Sequence, residues 1–137
     1  EVRVRPDLEI DLDGVRIGAD LKTISMWNIK QEGLRAKLHR EIIDRDYHLS
    51  AGMYCSVADF DQFFWIFVNK DEGYHWVAVI EASEDLLDLG LLEYQRTMRA
   101  LANAYDTDCW SAPITEDYTD ELNDFDLRRL EALRTQA

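Results

Sequence analysis

Apolar and polar residues alternate on both sides of Asp13-Gly14. Leu8, Ile10 and Leu12 lead into the dipeptide and Val15, Ile17 and Ala19 lead out, the period-two pattern of two half-buried strands. Asp-Gly suits a two-residue type I′ turn, which needs positive φ at both central positions. In that register the apolar residues share one face, expected to be core, while Asp7, Glu9, Asp11, Arg16, Gly18, Asp20 and Lys22 share the other, expected to carry charge. Asp11 is then placed to pair with Arg16 across the hairpin.

Downstream the period changes. Residues 25–43 predict a polar amphipathic helix interrupted by Gly33, and residues 47–58 a second helix with Tyr47, Ser50, Tyr54 and Val57 on one side. Phe63 to Asn69 and Tyr74 to Ala82 are rich in β-formers and predict central strands joined through Asp71-Glu72-Gly73. Ser83 caps a long helix whose first turn holds Glu84 and Asp85. Its stripe of Leu87, Leu91, Tyr94, Met98, Leu101 and Tyr105 is expected to pack on the sheet. The reading is an α/β (α+β) fold: a mixed central sheet flanked by helices over 1–113, then an acidic, weakly helical tail over 114–137.

The 137 residues carry a net charge of −13, which opposes a general polyanion-binding coat because phosphate contacts need Lys and Arg. Carboxylates that gather a divalent cation invert that logic locally. Two cysteines, Cys55 and Cys109, make neither a zinc quartet nor a disulfide framework and are expected to be reduced. No apolar run approaches about 18 residues, so neither a membrane span nor export is expected, and the expected compartment is the cytoplasm.

The chemistry gathers at the start of the hairpin. Opposite one another across two antiparallel strands, Asp7 and Asp20 would have Cβ atoms roughly 4.5–5.5 Å apart. Two carboxylates so close repel, and a divalent ion taking oxygen ligands relieves the repulsion. Lys22 follows Asp20 on the same face, where its ammonium can orient an attacking water or steady the charge that builds on a phosphate. Acids, cation and lysine together suit phosphodiester hydrolysis.

Pro6-Asp7 followed by Asp20-Leu21-Lys22 resembles the PD-(D/E)xK nuclease signature. The blocks "RVRPDLEIDLDGVRIGADLKT", "DYHLSAGMY" and "LGLLEYQRTMRALANAYDTDCWSAP" are similar to successive parts of the RecE-type (exodeoxyribonuclease VIII) exonuclease domain and its phage relatives, covering Val2 to Pro113. The resemblance implies a restriction-endonuclease-like core and an exonuclease dependent on one or two Mg²⁺ (or Mn²⁺) ions. Such an enzyme degrades linear double-stranded DNA from the 5′ end and feeds single-strand annealing recombination. It implies that Asp7, Asp20 and the Leu21 carbonyl hold metal and that Lys22 is catalytic. It also implies DNA ends as substrate, a ring homo-oligomer, and a single-strand annealing protein as partner. The family's Q-x-x-x-Y helix, preceded by Tyr-His, corresponds to Tyr47, His48, Ser50 and Tyr54, with Ser50 standing where glutamine is usual. Upstream helices that complete the metal site and DNA channel in such domains are expected to be missing before Glu1.

Lys30, Arg35, Lys37 and Arg40 concentrate on the helix after the motif and are the candidate grip on DNA. Two other readings stay open: an acidic inhibitor or DNA-mimic binding protein, which needs no metal and no Lys22, and a catalytically degenerate nuclease-fold domain kept for assembly.

Overall fold

The computed structural model describes residues 1–26, 30–114 and 116–136. Among them run strands β1 (Leu8–Leu12) and β2 (Val15–Ile24), helices α1 (Leu34–Asp44) and α2 (Tyr47–Ala58), strands β3 (Gln62–Asn69) and β4 (Val77–Glu81), and helices α3 (Glu84–Thr107) and α4 (Asp124–Gln136). The chain divides into two compact units, Glu1–Asn103 and Ala104–Ala137.

In the first unit the strands form one mixed sheet in the order β1-β2-β3-β4, with β2 and β3 parallel and both outer pairs antiparallel. The hairpin register is the one its sequence predicts: Leu8 opposite Ala19, Ile10 opposite Ile17, Leu12 opposite Val15. Asp13 and Gly14 both take positive φ, 52° and 85°, as a type I′ turn requires. The Asp11 carboxylate accepts the Gly14 N–H at 3.0 Å, and the Arg16 guanidinium lies over the Phe60 ring at 5.5 Å, so the turn and an aromatic take the groups expected to pair with each other. Gly18 lies under the same ring. A Cβ there would meet Phe60 carbons at 2.6 Å, so the close approach of ring to strand requires glycine.

A parallel β2–β3 pair needs a crossover, and residues 25–61 supply it. The helix predicted over 25–43 is shorter than its pattern. Residues 27–29 lie outside the described residues, a 3₁₀ turn covers Gln31–Gly33, and α1 begins only at Leu34. Gly33, a poor helix former, sits at the N-cap without a side-chain cap, and the β-ladder claims the chain as far as Ile24. The αL residues Asp46 and Asp59 delimit α2, a backbone region that Asp tolerates better than most residues.

The core lies between the helices and the sheet face of Gly18, Asp20 and Lys22, because β3 turns Phe63, Trp65 and Phe67 to that side; the hairpin's apolar face, expected to be core, leaves Leu8, Ile10, Leu12 and Val15 exposed. Phe63, Trp65 and Phe67 alternate inward from β3 with no exposure, joined by Leu38 and Ile42 of α1 and Ala51 of α2. Asn69 ends β3, also fully buried. It is satisfied because its Oδ1 accepts the Met26 N–H at 3.0 Å and its Nδ2 donates to the Tyr74 carbonyl at 2.7 Å. The stripe on α3 does not lie along the sheet as expected. Leu86 and Leu87 reach the core, Gly90 and Gly52 bring the backbones of α3 and α2 into direct contact, and Met98 and Leu101 remain exposed. Ser83 caps this helix as predicted, its Oγ accepting the Leu86 N–H at 3.2 Å.

The second unit contains the end of α3 and α4. Tyr105 and Trp110 meet edge to face at 4.9 Å, and Asn123 caps α4 through its Oδ1 and the Asp126 N–H at 3.0 Å. Thr115 and Ala137 of the predicted acidic tail lie outside the described residues. No described helix is long and apolar enough to cross a membrane.

Candidate active site

Asp7 stands one step before β1, and its backbone is tied to the partner strand by side chains instead of the usual ladder. The Asp7 N–H donates to Asp20 Oδ1 at 3.2 Å, and the Leu21 N–H donates to Asp7 Oδ2 at 2.9 Å. Each carboxylate therefore has one oxygen anchored by a main-chain donor, which fixes its direction and relieves part of the mutual repulsion without a cation. The pair costs less to keep than like charges alone would suggest. What remains is Asp20 Oδ2, 3.8 Å from the Lys22 ammonium, and Asp7 Oδ1, which has no hydrogen-bond donor among the described residues.

Asp20 is 6% exposed while Asp7 is exposed. Burial pushes the Asp20 carboxyl above its ordinary value; the Asp7 N–H and the Lys22 ammonium oppose the rise, and the Asp7 charge adds to it. The native state thus holds this proton more tightly than the unfolded chain. Its contribution to stability is greatest at low pH and is lost as pH rises through the folded-state value. Ionised, Asp20 is a buried negative charge that a bound cation would relieve.

The wall of the site comes from α2, which packs on the face holding Asp20 and Lys22. Opposite them on β3 stand Trp65 and Phe67. Tyr47 and Tyr54, seven residues apart and so two helical turns, both point at the sheet. The Tyr47 ring meets Phe67 at 6.4 Å and carries the Lys22 ammonium 4.5 Å from its centroid, while Tyr54 meets Phe63 at 6.0 Å. Burial first, then the charges of Asp20 and Asp7, raise the Tyr54 hydroxyl above its ordinary value, which puts Tyr54 within electrostatic reach of both carboxylates. Asp7, Asp20, Lys22, Tyr47 and Tyr54 are thus brought together, with Leu21 between the acid and the lysine.

His48 and Ser50 are not joined to this group. His48 is buried on another side of α2, where its Nε2 is 2.8 Å from Glu93 Oε2 of α3 and its Nδ1 is 3.4 Å from the Ile42 carbonyl. Its place follows from adjacency: neighbouring residues on a helix point about 100° apart, so Tyr47 on the sheet puts His48 toward α3. The Ser50 N–H closes the first turn on the Asp46 carbonyl at 3.3 Å, and no described contact joins its hydroxyl to the carboxylates. Arg35, Lys37 and Arg40 are exposed on α1, and Lys30 is exposed just before the 3₁₀ turn.

Two groups of side chains have the chemistry of cation ligands. Asp46, His48 and Glu93 offer ligand atoms within 4.8 Å of one another, a mixed nitrogen and oxygen set that sequence spacing did not reveal because Glu93 comes from another helix. Asp7 and Asp20 offer only hard oxygens. That set fits Mg²⁺ or Mn²⁺, which take one or two carboxylates and fill their remaining positions with water and substrate phosphate. The chain matches no protein-family model and no curated protein, so the reading of these carboxylates rests on their own geometry.

Proposed function

We propose that the chain is a metal-dependent deoxyribonuclease domain of the PD-(D/E)xK type, similar to RecE-type exonucleases, that hydrolyses phosphodiesters of linear duplex DNA from the 5′ end. The observation that carries this reading is the reciprocal anchoring of Asp7 and Asp20 by the Asp7 and Leu21 amides, with the Lys22 ammonium beside the second carboxylate. A structural ion pair would need one acid and one base. Here the acid paired with Lys22 is the buried Asp20, and a second carboxylate, Asp7, is anchored beside it.

Asp7, Asp20 and the Leu21 carbonyl would hold the divalent ion, which would supply charge neutralisation at the phosphate and lower the pKa of water. The protein's own groups do the positioning. Anchored by the Leu21 amide, Asp7 keeps its direction without an entropic cost at binding. Lys22, supported by the Tyr47 ring, presents its ammonium where an in-line water would be held and where charge accumulates on the phosphate oxygens. Tyr54 keeps its proton at neutral pH and can donate it to a phosphate oxygen. Exposed Arg35, Lys37 and Arg40 supply phosphate contacts along α1, which a chain with a net charge of −13 can provide only locally.

The test is the substrate. With Mg²⁺ or Mn²⁺, linear duplex DNA labelled at its 5′ end should release label before the 3′-labelled duplex does, and covalently closed duplex should stay intact. Equal cutting of closed circles would replace the exonuclease by an endonuclease, and no metal-dependent cutting of either would remove the hydrolytic reading.

A further inference from the structure

Helix α2 begins where α1 leaves its last turn open. The Asp46 N–H would close a helical turn on the Ile42 carbonyl, four residues back, but donates to the Ile43 carbonyl at 3.1 Å instead. The carbonyl left over faces the buried ring of His48, 3.4 Å from Nδ1. A carbonyl can only accept, so Nδ1 is the ring nitrogen that carries the proton, and the neutral imidazole presents a bare lone pair at Nε2. That lone pair meets Glu93 Oε2 of α3 at 2.8 Å. Two acceptors this close need a positive centre with them, which either a second ring proton or a metal ion supplies.

A third group favours the metal. A proton would join His48 to Glu93 and leave Asp46 no part, yet the ligand atoms of Asp46, His48 and Glu93 all lie within 4.8 Å of one another. Asp46 stands at the N-cap of α2, where an aspartate ordinarily accepts a main-chain N–H, but at φ 55° its side chain makes no cap. Among the described residues no donor is joined to that carboxylate. Two carboxylates and a neutral imidazole match the charge of a divalent ion. The ring is also held as metal-bound imidazoles are, with its other N–H on a main-chain carbonyl that fixes tautomer and direction.

We propose that Asp46, His48 and Glu93 form a second cation site, separate from Asp7 and Asp20, that takes Zn²⁺ and ties the first turn of α2 to α3. The ligands of one tetrahedral Zn²⁺ lie about 3.3 Å apart for bonds of about 2.0 Å. Exposed Asp46 and partly exposed Glu93 can close the remaining distance by turning their side chains, while buried His48 stays fixed. An imidazole nitrogen selects against Mg²⁺, which prefers oxygen and keeps its waters, and Mn²⁺ is the weakest binder of the first-row series. Selection here thus runs opposite to that of the all-oxygen pair. Three protein ligands leave a fourth position, which the exposure of Asp46 opens to water. Tyr47 lies between two of the ligands in the chain, so the ion fixes the turn that bears the ring under Lys22.

The experiment uses Asp20→Asn, in which the other carboxylate pair is already broken, so its outcome is independent of the nuclease reading. After treatment with a chelator, this protein should take up a single Zn²⁺ per chain in a calorimetric titration. Its Tm should rise by about 8 °C at a hundredfold excess over Kd. Mg²⁺ or Mn²⁺ at the same concentration should leave Tm where it was. Adding Asp46→Asn or Glu93→Gln, neither in the core, should weaken Zn²⁺ binding by more than about tenfold with unchanged circular dichroism. No uptake by Asp20→Asn, an added substitution that leaves uptake unchanged, or an equal rise with Mg²⁺ would overturn the proposal, the second because the ion would then sit elsewhere.

Discussion

Lys22→Ala is expected to lower metal-dependent cleavage of linear duplex DNA by about a thousandfold, the loss seen when one preorganised donor to a developing charge is removed. The substitution should leave the fold intact. Lys22 is partly exposed, and its ammonium lies 3.8 Å from Asp20 and over the Tyr47 ring, contacts that add little to stability on a half-open surface. Loss of the positive charge lets the Asp20 carboxyl rise further, because Lys22 is one of the two groups that pull it down. The residual activity should therefore also shift to higher pH. An acidic inhibitor or a degenerate assembly domain predicts no dependence of any kind on Lys22, so steady-state cleavage rates and their pH profile separate these readings.

Trp65→Ala is expected to destabilise the protein by about 3–5 kcal/mol, the range for truncating a fully buried aromatic. Trp65 has no exposure, packs edge-on against Phe63 at 5.8 Å and stands opposite Asp20 on β2 and Ile80 on β4. The cavity would open beside Asp20. Thermal unfolding should show a fall in Tm of roughly 10–20 °C, given a few degrees per kcal/mol for a chain of this size. Val79→Ser, at an exposed position of β4, should change the stability of the monomer by less than about 0.5 kcal/mol. A small effect of Trp65→Ala would mean that the β3 side chains do not form the core.

The hairpin was legible because Asp13-Gly14 admits essentially one turn type, and that turn fixes every cross-strand partner from Leu8 to Ala19. The alternation of β3 and the Ser83 cap were equally plain, since each depends only on local chemistry. Less legible was anything decided by a distant partner. The pattern over 25–43 has helical periodicity throughout, but β3 pairs with β2 as far as Ile24 and Asn69, and a sequence window contains no trace of that competition. The α3 stripe announced a packing surface without saying what it packs on; Gly52 and Gly90 set the answer by allowing two backbones to touch.

At the site, the opposition of Asp7 and Asp20 was readable from the turn, while its consequence was not. Spacing alone suggested unrelieved repulsion, and the structure supplies two amide donors, from Asp7 itself and from Leu21. Tyr47 and Tyr54 share a face at a spacing of seven and arrive together. Placing His48 with them ignored the angle between adjacent helical residues, which sends it to Glu93.

The most direct test of the central claim, that Asp7 and Asp20 hold a divalent cation, is thermal unfolding of the wild type and of Asp20→Asn during titration with Mn²⁺ or Mg²⁺. At tenfold excess over Kd the wild type should gain about 1.4 kcal/mol, roughly 4 °C in Tm, while Asp20→Asn, which no longer buries a charge, gains nothing. No shift in the wild type, or the same shift in both proteins from a cation held elsewhere such as at Asp46, His48 and Glu93, would contradict it.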